Sequence, residues 1–215
     1  MTYSVKEIYY TLQGEGANAG RPAVFLRFSG CNLWSGTEEG RAKGTGGCAQ
    51  WCDTNFVGTD GPGGGKFKLA TALAAAVKDR WPASEPAGTP LVVCTGGEPL
   101  LQLDVPLIAA LHEAGFLVAV ETNGTITPPP GIDWLTVSPK AGATLKIKSG
   151  QELKLVYPQQ GMEPYRFAKM DFLHHYLQPL DNADASLNSR SAITYCLDNP
   201  LWRLSIQTHK VIGIP

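Results

Sequence analysis

Short apolar runs rich in β-branched residues recur along the chain, with helical spacing of apolar positions between some of them. The strand-like runs occupy 23–30, 91–99, 116–124, 133–140, 152–158, 171–180 and 202–210. Helical periodicity predicts helices over 67–81, 103–114 and 184–198. Asp184 is placed to cap the last of these helices. The proline-rich segment 122–133 leaves no room for a helix, so we expect fewer crossover helices than strands.

Polar motifs follow the predicted strands directly. The motifs GGEP, ETNG, SPK, QPLD and QTHK each begin where a strand-like run ends. A parallel sheet covered by helices places such motifs together at the carboxyl ends of its strands. A site supplied by five strand ends suits a barrel better than an open sheet, where a ligand contacts few strands. We therefore predict an α/β fold: a partial, incomplete (β/α) TIM-like barrel with reduced helix content, formed as a single domain over 1–215.

Composition narrows the classes of partner. The chain has 215 residues, with 18 Lys and Arg against 19 Asp and Glu and a formal net charge of -1. Because this balance creates no bulk field for polyanions, we expect no nucleic-acid partner and no membrane partner. The first residues lack the basic and apolar regions of a signal peptide, and no apolar run approaches the ~20 residues of a membrane helix. We expect a cytoplasmic protein.

The segment GTDGPGGGK, at 58–66, is similar to a phosphate-binding P-loop. In that motif the lysine is followed by Ser or Thr, which holds magnesium, whereas Lys66 is followed by Phe67. We therefore interpret 58–66 as a glycine-rich loop without that function.

Three of the five cysteines are crowded together. Sixteen residues separate Cys31 from Cys48, and three separate Cys48 from Cys52. Three thiolates can bind three irons of a [4Fe–4S] cubane and leave the fourth iron open for chemistry. A structural zinc site is the alternative, but it requires four ligands, and all four histidines lie far away in sequence. We interpret Cys94 and Cys196 as small buried hydrophobic residues.

A set of motifs carries a resemblance to a known family. The cysteine triad with an aromatic residue before its last member, then TGGEP, ETNG and VSPK, resembles the radical S-adenosylmethionine (SAM) superfamily. The usual spacing there is C-x3-C-x2-C, from which this chain departs. LQGEG, FLRFSGCNLW, WCDT, LQPLD and QTHKVIGIP together resemble the 7-carboxy-7-deazaguanine synthase family, some of whose members carry an expanded cluster loop, here about 31–52. The resemblance covers nearly the whole chain.

The resemblance implies a radical lyase with a [4Fe–4S] cluster, SAM and Mg²⁺ as cofactors. Such enzymes use a 5′-deoxyadenosyl radical to convert 6-carboxy-5,6,7,8-tetrahydropterin to 7-carboxy-7-deazaguanine, with loss of ammonia, in the biosynthesis of queuosine and related bases. It also implies an electron donor such as flavodoxin, and a homodimer. Two alternatives stay open: a radical SAM activase that makes a glycyl radical on a partner protein, and a non-catalytic zinc-binding module.

Individual residues follow from the motifs and the resemblance. Candidates for binding SAM and its surroundings are Trp51, Cys52, Asp53, Gly97, Glu98, Ser138, Pro139, Lys140, Gln178, Pro179, Leu180 and Asp181. Candidates for substrate binding are Leu12, Gln13, Gly14, Arg27, Thr95 and Pro215. The metal-binding candidates are Cys31, Cys48 and Cys52 for the cluster and Thr54 for magnesium. Candidates for catalysis are Glu15, Glu121 and His209.

Physical chemistry supports several of these roles. The paired glycines of GGEP permit close approach of a ligand, and Glu98 with the neighbouring carbonyls can accept from the SAM ammonium. The planar fork of Arg27 suits a substrate carboxylate. Resemblance alone implies that the carboxylate of Pro215 accepts hydrogen bonds from the pterin.

Overall fold

The computed structural model describes residues 2–82 and 88–215. The strands are β1 (Tyr3–Leu12), β2 (Pro22–Phe28), β3 (Gly65–Phe67), β4 (Leu91–Gly96), β5 (Leu117–Thr122), β6 (Trp134–Val137), β7 (Ser149–Tyr157), β8 (Asp171–Pro179) and β9 (Trp202–Leu204). The α-helices are α1 (Ala70–Lys78), α2 (Val105–Glu113), α3 (Ala185–Asp198) and α4 (Thr208–Ile212). Within the described ranges, no helix has both the length and the apolar character needed to cross a membrane.

One mixed sheet contains all nine of these strands, in the order β3-β1-β2-β4-β5-β6-β7-β8-β9. β1 is antiparallel to both of its neighbours, and from β2 to β9 every neighbouring pair is parallel. The predicted α/β class with a largely parallel sheet is therefore confirmed. The carboxyl ends of seven parallel strands lie along one edge, where the polar motifs follow.

The two faces of the sheet have different chemistry because side chains alternate along each strand. One face packs against the helices through apolar residues that include Leu26, Cys94, Val120, Leu153 and Leu177. Their neighbours in sequence point to the opposite face and line a cavity: Arg27, Thr95, Glu121, Lys154 and Gln178. The period-2 pattern thus separates the hydrophobic core from the polar site.

The helix content is reduced, as predicted. α1, α2 and α3 fall within the predicted ranges and follow β3, β4 and β8 respectively. The connections from β5 to β6, β6 to β7 and β7 to β8 are fully described and contain no α-helix, only the single 3-10 turn Pro164–Arg166. Asp184 occupies the N-cap position of α3, but its side chain makes no capping hydrogen bond, so that part of the prediction is wrong.

Three features of the fold differ from the sequence prediction. The short edge strand β3 lies where the sequence predicted the end of a loop over 58–66 and the start of a helix at 67. The strand β1 was not predicted, because its apolar positions are interrupted by Lys6 and Glu7, where a bulge shifts the register against β2. The predicted strand over 202–210 is too long. Only Trp202–Leu204 pairs with β8, and the QTHK motif leads into the helix α4.

The sheet is open but strongly curved. β3 and β9 are its two edges, so the nine described strands form no closed ring. β1 and β9 are seven strand spacings apart in the sheet order, a distance of ~34 Å if the sheet were flat. Yet the amide of Gly16, just after β1, donates to Ser205 Oγ, just after β9, over 3.0 Å. The curvature therefore closes the polar face around the cavity.

Candidate active site

The cavity on the concave face has a volume of about 400 Å³. The predicted site residues that line it are Leu12, Gln13, Gly14, Glu15, Arg27, Cys31, Cys48, Trp51, Cys52, Asp53, Thr54, Thr95, Gly97, Glu121, Ser138, Lys140, Gln178, His209 and Pro215. The predicted site residues that do not line it are Glu98, Pro139, Pro179, Leu180 and Asp181. The fold thus brings most of the predicted residues into one space.

The three clustered cysteines lie at one end of this cavity. Cys48 belongs to the 3-10 helix Gly47–Gln50, and the amide of Cys52 donates to its carbonyl over 2.7 Å. Burial raises the pKa of the Cys48 thiol to about 11 and raises that of Cys31 as well. Buried thiols with raised pKa values become good ligands when a metal supplies the compensating positive charge. Together with Cys52, these residues place three thiols on one cavity, which fits a [4Fe–4S] cluster.

A single-ion site is a poorer fit. Among the residues that the structure describes, no three His, Cys, Asp or Glu side chains are grouped so as to hold one metal ion. The thiolates of a cubane each bind a different iron, so they need not converge on one point. Cys94 is fully buried in the core, where burial raises its pKa to about 12, and Cys196 lies on α3. Neither lines the cavity.

In the GGEP turn the glycines Gly96 and Gly97 line the cavity, whereas the carboxylate of Glu98 does not. Gly96 has a positive φ of 140°, and a Cβ on Gly97 would lie 2.8 Å from the Cβ of Cys31, so this close approach requires glycine. Glu98 is fully buried and accepts from the amides of Leu100 and Asn123 at 3.0 and 2.8 Å. It also accepts from the Thr122 hydroxyl at 2.7 Å. The Glu98 carboxylate thus joins the ends of β4 and β5 and faces away from the cavity, contrary to the expected contact with a SAM ammonium.

A lysine lies near the cysteine end. Lys140 Nζ donates to Ser138 Oγ over 2.6 Å and lies 5.4 Å from the centre of the Trp51 ring. Burial lowers the pKa of Lys140, while the nearby Cys48 thiol acts in the opposite direction. The SPK motif and the residue before Cys52 therefore form one polar and aromatic group beside the cysteines.

A buried ion network also lines the cavity. Lys154 Nζ forms a short hydrogen bond with Glu15 and lies 3.4 Å from Glu121 Oε1. Glu15 also accepts from Gln178 Nε2 at 3.2 Å and Gln207 Nε2 at 3.1 Å. Burial by itself raises the pKa of Glu15, but the Lys154 ammonium outweighs it, and the pKa lies below its usual value. Glu15 is therefore held as a carboxylate.

Lys154 was not identified from the sequence. It is 5% exposed, and burial would lower its pKa, but the surrounding carboxylates of Glu121, Glu15 and Glu152 raise the pKa above its usual value. The signal was present in the pattern: Glu152 and Lys154 alternate with Leu153 and Leu155 in β7, which places two charges on the concave face. Such charges in an otherwise apolar strand are costly unless they are paired.

Arg27 enters the cavity from β2 with two partners from β1. Its Nε donates to Glu7 Oε1 over 2.7 Å, and its Nη2 donates to the Tyr9 hydroxyl over 3.1 Å. The Tyr9 ring stacks on Phe25, with ring centres 5.4 Å apart. Glu7 and Tyr9 also line the cavity, although neither was among the site residues predicted from the sequence. They orient the guanidinium and leave it only 18% exposed.

The C-terminal segment crosses the mouth of the cavity. The amide of Thr208 donates to the Gly14 carbonyl over 3.0 Å, and a Cβ on Gly14 would collide with the ring of His209. The Thr11 hydroxyl donates to the Pro215 carbonyl oxygen over 3.0 Å. His209 and Pro215 thereby line the cavity beside the LQGEG segment.

The end of β8 is linked to the cluster loop through this segment. Lys210 Nζ donates to Asp53 Oδ2 at 2.6 Å and to Asp181 Oδ2 at 2.5 Å. Asp181 is thus a partner of the C-terminal helix and is not a lining residue. Leu180 instead contributes backbone structure: its amide donates to Tyr157 and its carbonyl accepts from Asn188.

Comparison with known proteins gives a consistent result. No family model matches the sequence. The chain is 61% identical to the 7-carboxy-7-deazaguanine synthase of Caulobacter vibrioides and 57% identical to that of Burkholderia multivorans. Both alignments cover 100% of this chain and 100% of the relative. The solved structure of QueE from Escherichia coli matches with a TM-score of 0.68 and 27% identity, covering 97% of this chain and 95% of that one.

Proposed function

The chain belongs to the family of 7-carboxy-7-deazaguanine synthases, which are radical SAM enzymes with a [4Fe–4S] cluster, and we propose that it converts 6-carboxy-5,6,7,8-tetrahydropterin to 7-carboxy-7-deazaguanine with Mg²⁺ as a further cofactor. The observation that carries this proposal is the sequence identity of 61% and 57%, over the full length of the chain, with synthases of that name. The reaction belongs to queuosine and 7-deazapurine biosynthesis. The shared cavity of the triad and the strand-end motifs supports it.

In this proposal Cys31, Cys48 and Cys52 hold the cluster. When bound, the cluster and SAM supply a 5′-deoxyadenosyl radical, which removes a hydrogen atom from the substrate. The chain's own groups then orient the cofactor: the backbone of Gly96 and Gly97 approaches it closely, Ser138 and Lys140 donate hydrogen bonds, and Trp51 packs beside it. Gln178 donates from the opposite wall, while Asp53, Pro139, Pro179, Leu180 and Asp181 shape or support this surface. Glu98 acts by fixing the turn that carries Gly97.

The substrate lies between Arg27 and the ion network. The guanidinium of Arg27 pairs with the substrate carboxylate, since it is already oriented by Glu7 and Tyr9. Gln13, Thr95 and the backbone of Leu12 and Gly14 face the pterin edge, and the Pro215 carboxylate accepts from its N–H donors.

Glu15, Glu121 and His209 are the groups that accept or donate protons in this proposal. Gln13 Nε2 donates to Glu121 Oε1 over 3.1 Å, which connects the substrate edge to the network. Lys154 keeps Glu15 ionised, so that Glu15 serves as an acceptor at neutral pH.

Thr54 is proposed as the protein ligand of magnesium. Its side chain lines the cavity next to Asp53, two residues after the last cluster cysteine. Magnesium favours oxygen ligands and keeps positions for substrate oxygens, so one protein hydroxyl and the substrate carboxylate suit it.

The finer architecture and assembly form part of the proposal. We interpret the curved open sheet as an incomplete (β/α) barrel of the radical SAM type that forms one domain over 1–215, with an expanded cluster loop at about 31–52.

We also propose a homodimer, and a flavodoxin-like electron donor. Support for self-association comes from large exposed apolar residues concentrated near the C-terminus: Leu173, Leu187, Leu197, Leu201 and Val211. Light scattering of the purified protein measures the dimer directly.

One experiment tests the activity. Anaerobically reconstituted protein is incubated with SAM, a reductant, Mg²⁺ and the tetrahydropterin, and products are followed by mass spectrometry. Formation of 7-carboxy-7-deazaguanine with 5′-deoxyadenosine supports the proposal, and a reaction without SAM is the control. A colourless, iron-free holoprotein would instead favour the zinc-binding alternative. SAM cleavage that requires a partner protein and leaves the pterin intact would favour the activase.

A further inference from the structure

The expanded segment between Cys31 and Cys48 folds back onto the cluster loop. Its base is closed by the amide of Thr45, which donates to the Leu33 carbonyl over 2.8 Å. Its middle forms the 3-10 helix Glu38–Lys43, capped by the Thr37 hydroxyl, which accepts from the Gly40 amide at 3.2 Å. This turn directs one long side chain, that of Arg41, back toward the cysteines.

The guanidinium of Arg41 has partners on several sides. Its Nη1 donates to the Ala49 carbonyl over 2.6 Å, and both terminal nitrogens lie 3.5 Å from the Cys52 carbonyl. Its Nε donates to Glu38 over 2.7 Å, and its Cζ lies 4.7 Å from the centre of the Trp34 ring. Two of these partners are main-chain carbonyls next to or within the Cys48–Cys52 segment.

Those carbonyls need a donor from elsewhere. The last carbonyls of a short helix have no partner within it, and Ala49 lies in the final turn of Gly47–Gln50. The surrounding apolar cluster of Trp34, Ala49 and Phe56 packs against Cys31 and Cys52. Arg41 therefore donates hydrogen bonds to carbonyls of the backbone that carries the second and third cysteines. Its guanidinium also lies over the ring of Trp34.

We propose that Arg41 is a positioning residue for the iron–sulfur cluster. It holds the Cys48–Cys52 backbone in its ligating conformation, and its charged guanidinium lies 3.5 Å from the main-chain carbonyl of Cys52, one of the proposed ligands. This inference rests on the proposed binding of the cluster by Cys31, Cys48 and Cys52. Lysine cannot replace Arg41 fully, because one ammonium lacks the planar fork that reaches Ala49, Cys52 and Glu38 together. A positive charge near a cluster favours its reduced, more negative state and raises its reduction potential.

The test compares reconstituted wild-type protein with Arg41→Ala, Arg41→Lys and Glu38→Ala under anaerobic conditions. The rate of iron loss to a chelator and the cluster reduction potential are measured. We expect Arg41→Ala to lose iron on the order of 10-fold faster, as for other residues that orient metal ligands. The reduction potential of the cluster in Arg41→Ala should fall below that of the wild type. Arg41→Lys should keep the potential closer to that of the wild type while losing iron faster.

Glu38→Ala is the matched control, because it removes only the partner of Arg41 that is 81% exposed. Exposed pairs contribute little, so this variant should retain iron nearly as the wild type does. Alkylation of Cys48 and Cys52 in the apo-proteins gives a second readout, and both thiols should react faster in Arg41→Ala.

Equal iron retention and an unchanged potential in Arg41→Ala would overturn the inference while leaving the proposed function intact. If Arg41→Ala does not fold, as judged by circular dichroism, Arg41→Lys decides, and wild-type iron retention in that variant overturns the inference. A wild-type protein that binds no cluster would overturn the proposed function as well.

Discussion

Lys210, on the C-terminal helix, donates a 2.6 Å hydrogen bond to Asp53, the residue that directly follows the last cysteine of the triad. The same ammonium contacts Asp181 at the end of β8. One side chain thereby links the C-terminal segment to the cluster loop and to the end of β8. The proposed magnesium ligand Thr54 and the terminal residue Pro215 are positioned by connected parts of the chain.

Replacing Lys210 by Ala should weaken substrate binding more than SAM binding. The change frees α4 from both carboxylates and loosens the segment that carries His209 and Pro215, whereas Ser138, Lys140 and Gln178, the side chains proposed to donate to SAM, keep their contacts. We expect a raised KM for the tetrahydropterin with a smaller change in SAM affinity, measured by steady-state kinetics and equilibrium binding. An increase confined to SAM would contradict this role.

A C-terminal hexahistidine extension should raise the KM for the tetrahydropterin or abolish turnover. The extension removes the Pro215 carboxylate from the chain end and adds bulk at the cavity mouth, where Thr11 holds Pro215. The same tag at the N-terminus, before β1, is the matched control and should have little effect. Full activity of the C-terminally extended protein would show that the terminus takes no part in binding.

Single replacement of Cys31, Cys48 or Cys52 by Ala should abolish SAM cleavage. Each substitution removes one of three thiols facing the cavity, and the cubane then lacks a ligand. Cys94→Ala and Cys196→Ala should retain cleavage, since neither residue lines the cavity. Release of 5′-deoxyadenosine is measured by chromatography. Unimpaired cleavage by Cys48→Ala would refute its assignment as a ligand.

Arg27→Ala should reduce substrate turnover far more than SAM binding. The loss should be on the order of 2–5 kcal/mol in kcat/KM, the usual cost of truncating one partner of a buried charge pair. Tyr9→Phe is the comparison variant, because it removes one hydrogen bond to the guanidinium and keeps the charge. Its loss should be smaller. Equal damage to SAM and substrate affinity in Arg27→Ala would indicate that Arg27 supports the fold through Glu7.

Lys154→Met should move the acid limb of the pH–rate profile to higher pH. Burial raises the pKa of Glu15, and Lys154 is what holds that pKa below its usual value. Without the ammonium, burial is opposed mainly by the hydrogen bond from Gln207, so the pKa of Glu15 rises and Glu15 protonates at higher pH. A kcat/KM profile measured against pH checks the shift, and Lys154→Arg, which keeps a positive charge, should shift it less. An unchanged acid limb in Lys154→Met would remove Glu15 from the catalytic scheme.

The ion pair of Glu15 and Lys154 also contributes to the free energy of unfolding. Because the pKa of Glu15 is lowered in the folded state, its stabilisation is present above the unfolded-state pKa and is lost as the pH falls through the folded-state value. In Lys154→Met the folded-state pKa of Glu15 rises, so less of this stabilisation remains at neutral pH. Breaking a buried pair typically costs about 3–5 kcal/mol. Denaturant unfolding at neutral and acid pH should show the larger deficit at neutral pH.

Much of this protein is determined by local sequence. Apolar runs predicted most of the strands, helical periodicity predicted the ranges of α1, α2 and α3, and the strand ends located the motifs, because each of these patterns depends on neighbouring residues alone. The cysteine spacing and the strand-end motifs then indicated the site residues, most of which line one cavity. Lys154 was within reach of the same reasoning, since a charge in an apolar strand requires a partner.

Tertiary structure decided which of those residues face the cavity and how their charges are balanced. Glu98 follows a strand end as Lys140 does, yet its carboxylate accepts from the Leu100 amide of its own turn and from the Asn123 amide and Thr122 hydroxyl at the end of β5. β1 was missed because Lys6 and Glu7 interrupt its apolar positions, and Glu7 finds its partner Arg27 only once β1 pairs with β2. Contacts between the start and the end of the chain, such as Gly14 with Thr208, arise only from the curvature of the sheet. Local pattern does not encode that curvature, because it results from the packing of all nine described strands together.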